Sequence, residues 1–499
     1  MVQIMSSTKV FQRVAGLRPG MSVFDLSYTK LLTCDMGQLI PVMCDEVVPG
    51  DIFKIGNQSV IRMQPLVAPV LHEINAYVHY FFVPYRLLWD DWEDFITGGE
   101  DGNNVSVLPK WVPTVAPPIG SLWDYFGFNT GFVPTNTSAP ISFPRDAYNL
   151  VWNEYYRDEN LQAERLLDTA TIAVRNWEKD YFTASQPWQQ RGTAPALPIS
   201  GTTKAIWPAA STADTLFALQ GDLNAGSPPV WRPRDGNTRA LLEANTVDLS
   251  TASTFNVSDL RLAFQIQKWM ERNARAGARY TESLQAHFGV SPRDERLQRP
   301  EYIGGSKSPV IVSEVLQTSS TDATSPQGNM AGHGVSASAT YCGKYRATEH
   351  GLIIGLMSIM PRTMYQQGHD RQWLRRSRYD FYFPEFANLS EQAVLTCELY
   401  ASGTESENKS IFGYQGRYDE MRTKRNMVCG QMRGVFDYWH LGRIFTSKPA
   451  LNSSFITCIP DKRIFAAPSE PGFIVQFANL IKAWRPMPIQ SDPGLIDHN

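Results

Sequence analysis

The chain lacks cysteines at any redox or metal spacing. Its six, Cys34, Cys44, Cys342, Cys397, Cys429 and Cys458, are scattered, with no C-x-x-C pair among them. Free buried thiols in a reducing compartment are the expected state. Long apolar runs are missing too. No window approaches the roughly 18 uncharged apolar residues of a membrane span, and the opening MVQIMSSTKVFQRVAG has no apolar signal core. A soluble, non-secreted protein without membrane insertion is expected. Nor is there an excess of one charge: 46 Lys and Arg against 49 Asp and Glu leave a net charge of -3. A protein that grips nucleic acid by its overall field is normally basic, so any such contact here must be a local patch.

Catalytic constellations are also absent. No G-x-S-x-G and no H-E-x-x-H occurs. IGGSKS, from Ile303 to Ser308, lacks the spacing of a phosphate loop. His72 and His79 have no Cys or carboxylate partner at a metal spacing and read as ordinary sheet residues. His333, in NMAGHGVSA, reads as a flexible loop histidine. Asp90, Asp91, Glu93 and Asp94 sit beside Trp89 and Trp92, a carboxylate–tryptophan grouping like that of glycosidases. Asp90 and Asp94 fall one helical turn apart, however, and a solvated acidic face or a contact to a basic neighbour is the plainer reading. No catalytic residue, cofactor or metal site is expected, and the chain is not expected to be an enzyme.

What is present is material for a large β-protein. Of the 499 residues, 43% are hydrophobic, enough for a real core, and the length implies two domains or one domain with large insertions. Ile74 to Phe82 alternates with period two, which predicts a half-buried strand ended by Pro84. Leu88, Trp92, Phe95 and Ile96 then recur at helical spacing before Gly98-Gly99. Val48-Pro49-Gly50-Asp51 is a turn between two extended runs. His350 to Pro361 is apolar on both faces, a central strand. Val394 to Tyr400 and Phe473 to Trp484 read as further strands. Many strands separated by Gly/Pro turns favour a sandwich or jelly roll over a parallel βαβ fold.

Between these strands lie insertions. After Gly99 the chain is rich in Pro and aromatics, with Trp111, Trp123, Tyr125 and Phe126 expected to anchor onto a neighbouring subunit or onto the body. Pro144 precedes a helix whose Tyr148, Val151, Trp152 and Tyr155 share a face. From Ile199 to Asn256 the composition turns to Ala, Ser, Thr, Gly and Asn, an exposed excursion with a short helix at Arg239 to Ala244. Ser258-Asp259 opens a helix with Leu262, Ile266, Trp269 and Met270 as its apolar face and Gly277 as its stop. A shorter helix pairs Leu284 with Phe288 and ends at Gly289. The domain division expected is 1–198 for the first strands and loops, 199–256 for the variable insertion, and 257–499 for the helical insertion and remaining strands.

Two basic segments stand out. One holds Arg375, Arg376 and Arg378 among Trp373, Tyr379 and Tyr382; the other holds Arg422, Lys424 and Arg425. Cations interleaved with rings suit single-stranded nucleic acid, where charges meet phosphates and rings stack on bases. The alternative is ion pairing between subunits and solvated faces.

Several colinear phrases carry a family likeness: FDLSYTKLLTCDMGQLIPV, DEVVPGDIF, YFFVPYRLLWDDWEDFITGG, YNLVWNEYYRDENLQ, Glu271 to Gly305, FGYQGRYDEMRTK and FANLIKAWRPMPIQSDPGLIDHN. Together they resemble the major capsid proteins of the microviruses, and within them the gokushovirus branch. The resemblance implies a mainly β chain, an eight-stranded antiparallel jelly roll with long helical and loop insertions. It implies self-assembly into a T=1 icosahedral shell around a circular single-stranded DNA genome. The implied partners are copies of the chain itself, the genome, a small basic DNA-condensing virion protein and a host-cell surface receptor met by the 199–256 protrusion at the threefold axis. Location in the virion, after assembly in the bacterial host cytoplasm, is implied as well. Rival readings from the residues are a glycan-binding or glycan-hydrolysing β-protein and a phage spike or receptor-binding protein.

Overall fold

The computed structural model describes residues 20–195, 257–277, 279–316, 330–389 and 391–490, with four short strands between 205 and 247. The helix expected at Arg239 to Ala244 lies outside the described residues. The chain divides into two compact units, Met1–Gln189 with Ala276–Asn499, and Gln190–Arg275. In the second unit β6 (Ala205–Ile206) pairs with β9 (Thr246–Val247) and β7 (Phe217–Gln220) with β8 (Val230–Pro233). Its helix Val257–Ala276 starts next to the expected Ser258-Asp259. The stripe Leu262, Ile266 and Trp269 is exposed there, so amphipathic spacing does not mark a core at this helix.

The first unit is built on one curled antiparallel sheet. Its strands are β1 (Ser22–Asp25), β2 (Tyr28–Cys34), β3 (Ile40–Val47), β4 (Ile52–Met63) and β5 (Ile74–Pro84), then β10 (Glu301–Leu316), β11 (Met330–Arg346), β12 (Gly351–Pro361) and β15 (Phe473–Arg485). They run in the order β1-β15-β4-β11-β10-β5-β12-β3, with β2 also on β15. The fold is mainly β and agrees with a jelly roll carrying insertions; nine strands stand where eight were expected, because β1 and β2 share the edge of β15. The turn between β3 and β4 is as expected, with Gly50 at φ 96° and Asp51 N–H donating to the Val48 carbonyl at 3.1 Å.

The free edge of β3 is closed by side chains. Lys30 Nζ donates to the Pro41 carbonyl (3.0 Å), Asn479 Nδ2 to Val42 (2.9 Å) and Arg485 Nη2 to Glu46 (2.6 Å). Polar side chains from β2 and β15 thus satisfy carbonyls that a neighbouring strand would otherwise claim.

Two cores lie on either side of this curl. Inside it, Phe53, Ile55, Tyr80, Phe82, Met357, Phe473, Phe477 and Ile481 pack together. Behind β5 and β12, Phe81, Val83, Leu352, Ile354 and Leu356 meet α1 (Trp92–Thr97), α2 (Leu122–Tyr125) and α3 (Phe143–Val151) through Trp92, Leu122, Trp123, Phe143, Tyr148 and Val151. This second layer corrects one expectation: β5 is buried on both faces, not half-buried, because its Phe81 and Val83 side is covered by α3 and the Pro-rich loops.

Two other strand expectations change. His333 lies in β11, paired with Ser313, not in a loop. The glycines around it serve close approach: a Cβ at Gly332 would come 2.6 Å from the Ala68 carbonyl oxygen, and one at Gly334 2.2 Å from Met63 Sδ. The strand expected at Val394 to Tyr400 is instead β13 (Glu391–Leu395), paired with β14 (Ile411–Gly416) and followed by a helical turn, Thr396–Leu399. All six cysteines are free.

Candidate nucleic-acid interface

The two basic segments are brought together beside the β13–β14 hairpin. Segment 371–383 makes two 3-10 turns, Arg371–Trp373 and Arg378–Asp380. Asp380 caps the second by accepting the N–H groups of Arg376 (2.9 Å) and Ser377 (2.7 Å). Segment 417–425 crosses it. Arg417 Nη2 donates to the Tyr379 carbonyl (2.9 Å), Tyr418 Oη to the Phe381 carbonyl (3.0 Å), and the Tyr382 and Tyr418 rings lie 5.2 Å apart.

At their junction an open pocket of about 190 Å³ is lined by Arg371, Arg375, Arg376, Arg417, Asp380 and the buried carboxylates Glu398 and Glu420. Glu398 is 1% exposed, yet fully occupied: Arg371 Nη1 (2.7 Å), Tyr181 Oη (3.0 Å) and the Leu395 N–H (2.8 Å) all donate to it. Burial raises its carboxyl pKa, against the pull of Arg371. Glu420 accepts from Gln392 Nε2 at 2.7 Å, and Arg375 Nη2 stays 3.8 Å away.

The remaining guanidiniums are under-used. Arg375 Nε and Nη2 and Arg417 Nε are buried and have no hydrogen-bond partner. Arg375 lies over the Phe381 ring at 5.1 Å and Arg378 over Tyr379 at 5.0 Å, beside the exposed Trp373, Phe381 and Tyr382. Orphaned donors in a pocket rimmed by exposed rings match the needs of a phosphate with an attached base.

The candidate cations therefore separate. Arg375 and Arg376 line the pocket and Arg378 its aromatic rim. Arg422 pairs with Asp419, and Lys424 with Asp370 at 3.6 Å. Arg425 is a tie within the fold, donating to the Glu398 (2.5 Å) and Gly368 (2.9 Å) carbonyls, and burial lowers its pKa. Arg371 and Arg417 open the two basic segments but were not among the cations singled out in them; the contact between the segments gives each its place.

The aromatic anchors fall on the body. Trp111, Trp123 and Tyr125 are buried, and Phe126 packs on the same layer, with the Trp111 and Trp123 rings 5.0 Å apart. The Asp90 to Asp94 carboxylates are exposed, while Trp92 turns inward against Tyr85, Phe143 and His350. Trp92 is therefore not displayed beside these carboxylates. His72 and His79 are structural: His72 Nε2 bonds the Arg362 carbonyl (2.7 Å) and His79 Nδ1 the Tyr156 hydroxyl (2.8 Å). Among the described residues no group of three or more His, Cys, Asp or Glu is placed to hold a metal ion.

Comparison with known proteins decides the family. The model of the phage capsid protein (F protein) family matches residues 14–495. The chain belongs to that family. It is 36% identical to capsid protein VP1 of Chlamydia phage 1, over 95% of each chain. It is 33% identical to capsid protein VP1 of Bdellovibrio phage phiMH2K, over 94% of each. With capsid protein VP1 of Spiroplasma virus 4 identity is 30%, over 92% of this chain and 93% of the other. The gokushovirus-type resemblance is thus sustained: this is a microvirus major capsid protein, a structural component of the virion.

Proposed function

We propose that the chain assembles into a small T=1 icosahedral shell enclosing a circular single-stranded DNA genome, and that the Arg375–Arg376–Arg417 pocket faces the interior and holds genome phosphates. The observation that carries the DNA part is the set of buried guanidinium N–H groups without hydrogen-bond partners beside exposed rings, Arg375 Nη2 keeping only a 3.8 Å ion pair to Glu420. Assembly takes place in the bacterial host cytoplasm. A small basic virion protein supplies the bulk charge neutralisation that a chain of net charge -3 does not. The insertion around 199–256 meets the host receptor, the shell performs no catalysis, and exposed apolar residues of the Pro-rich loops, Val112, Val115 and Ile119, contact neighbouring subunits.

Particles from Arg375→Ala/Arg417→Ala cells test the DNA part. Closed shells with several-fold less DNA, and weaker DNA retention as salt rises, are expected. Unchanged DNA content and salt response would overturn the interior assignment, and electron microscopy of the wild-type chain showing small closed oligomers in place of shells would overturn the assembly.

A further inference from the structure

The outward face of the sheet carries a second cationic feature. The pairing register places Lys482 opposite Lys54, and Lys54 opposite Lys344, in one rung across β15, β4 and β11. Arg346 follows on the next rung, opposite Ile52. All four cations are exposed. Directly opposed side chains lie about 5 Å apart in an antiparallel sheet, where like charges repel. Lys54 rests over the Trp484 ring at 5.1 Å, and Asp25, next to Lys482 on β1, gives it a favourable field; otherwise the rung is uncompensated among the described residues. The face continues with the exposed Tyr341, Leu480, Leu31 and Ile474 among the polar Gln58, Gln476 and Arg62.

The same unit holds the complement. Asp90, Asp91, Glu93, Asp94, Glu100 and Asp101 are all exposed, and no cation stands between Arg86 and Lys110. The apolar Ile96, Val105 and Val107 beside them are exposed too. Each surface thus joins a block of charge, only partly offset by Asp25 on one and by Arg86 near Glu93 on the other, to exposed apolar side chains, with opposite signs.

We infer that the lysine rung of one copy docks on the acidic α1 shelf of a second copy, a head-to-tail contact of the kind that closes around a rotation axis. A protein partner fits better than nucleic acid. The rung itself presents three lysine point charges, while the densest grouping of forked guanidiniums with exposed rings is that of Arg375, Arg376, Arg378 and Arg417 with Trp373, Phe381 and Tyr382. The contact rests on the self-assembly reading and not on the genome reading.

Zero-length carbodiimide cross-linking of assembled wild-type particles, read by mass spectrometry, tests it directly. Peptides joining Lys54, Lys344 or Lys482 to residues 90–101 of another copy are expected; closed shells without such links would overturn the contact while leaving the shell reading intact. Linked small oligomers that never close would support the contact and count against the shell. Lys54→Glu/Lys344→Glu/Lys482→Glu is expected to raise the concentration needed for assembly at least tenfold. Adding Asp90→Lys/Asp91→Lys/Asp94→Lys to that chain should restore most of it. Lys54→Gln/Lys344→Gln/Lys482→Gln, milder for folding, should give an intermediate loss. Absence of rescue in a folded double-set variant would overturn the pairing, as would normal assembly with only DNA content reduced, which would assign the rung to nucleic acid.

Discussion

Strands β5 and β12 are buried on both faces, whereas β4 and β15, in the same sheet, are buried on one. The covered half wears a second layer of α3 and the Pro-rich loops, with rings such as Trp123 and Tyr148 filling it. Among the described residues the bare half has no such layer, and Leu31, Leu480, Ile474 and the lysine rung are exposed. A single subunit therefore finishes one side of its sheet by itself and leaves the other to be met. On the proposed self-assembly, the covered half would set subunit stability and the bare half would be the side open to neighbours.

The sharpest test of the division is a truncation on the second face of β5. Phe81, 2% exposed, packs against Tyr155 with the ring centroids 4.7 Å apart and the planes tilted by 46°. Phe81→Ala should cost about 3–5 kcal/mol, as lost transfer energy and a residual cavity add. The lowered urea midpoint of the unassembled chain would show it. Leu480→Ala, outward on the bare half, should stay within about 0.5 kcal/mol. Equal costs would mean that the bare half is not bare in the free subunit.

Acid should attack the covered half next. Burial, and then the Arg175 guanidinium, pull the His79 imidazole pKa down from 6.5 to about 4. The unfolded chain therefore takes up the proton first. The stability that neutral His79 contributes is full above pH 6.5 and is lost as pH falls toward 4. At about 1.4 kcal/mol per unit the loss reaches at most about 3 kcal/mol. His72, its pKa lowered to about 4 chiefly by burial, acts in the same sense. His79→Gln should flatten the fall in urea-unfolding free energy between pH 6.5 and 4 by up to that amount. An unaltered slope would show that His79 is not held neutral by the second layer.

The contrast between the halves also explains what was legible from residue order. The continuous apolar run of β12 announced a strand buried on two sides, and β15 was legible as a strand, its one-sided burial becoming plain only in the structure. β5 misled because the polar members of its alternation, Asn75 and His79, are covered by elements far along the chain, and His79 finds its partner in Tyr156. The glycines around His333 mimicked a loop because they were read without their neighbours, Ala68 and Met63, which forbid a Cβ. At the site, Arg375 and Arg376 were visible among rings, while Arg371 and Arg417 gained meaning only when Glu398 and Tyr379 closed on them. The lysine rung was invisible for the same reason: strand register, not spacing, aligns Lys54, Lys344 and Lys482.

The smallest expected effect carries the most information, because its sign differs between the free subunit and the assembly. Lys344 has a like charge directly opposite, and among the described residues no ring contact of its own offsets it. Removing the charge with Lys344→Gln relieves repulsion along the rung, so the free chain should become more stable by a few tenths of a kcal/mol, up to about 1. Chemical denaturation at low salt would resolve the gain, and it should shrink as salt screens the rung. The same substitution should weaken assembly if the rung meets the acidic shelf of a neighbour. A residue kept for the subunit's own fold would lose stability on replacement, and a solvated lysine of no consequence would change neither quantity. Stability gained while assembly is lost is the signature of a charge held against the subunit's interest for a partner's benefit.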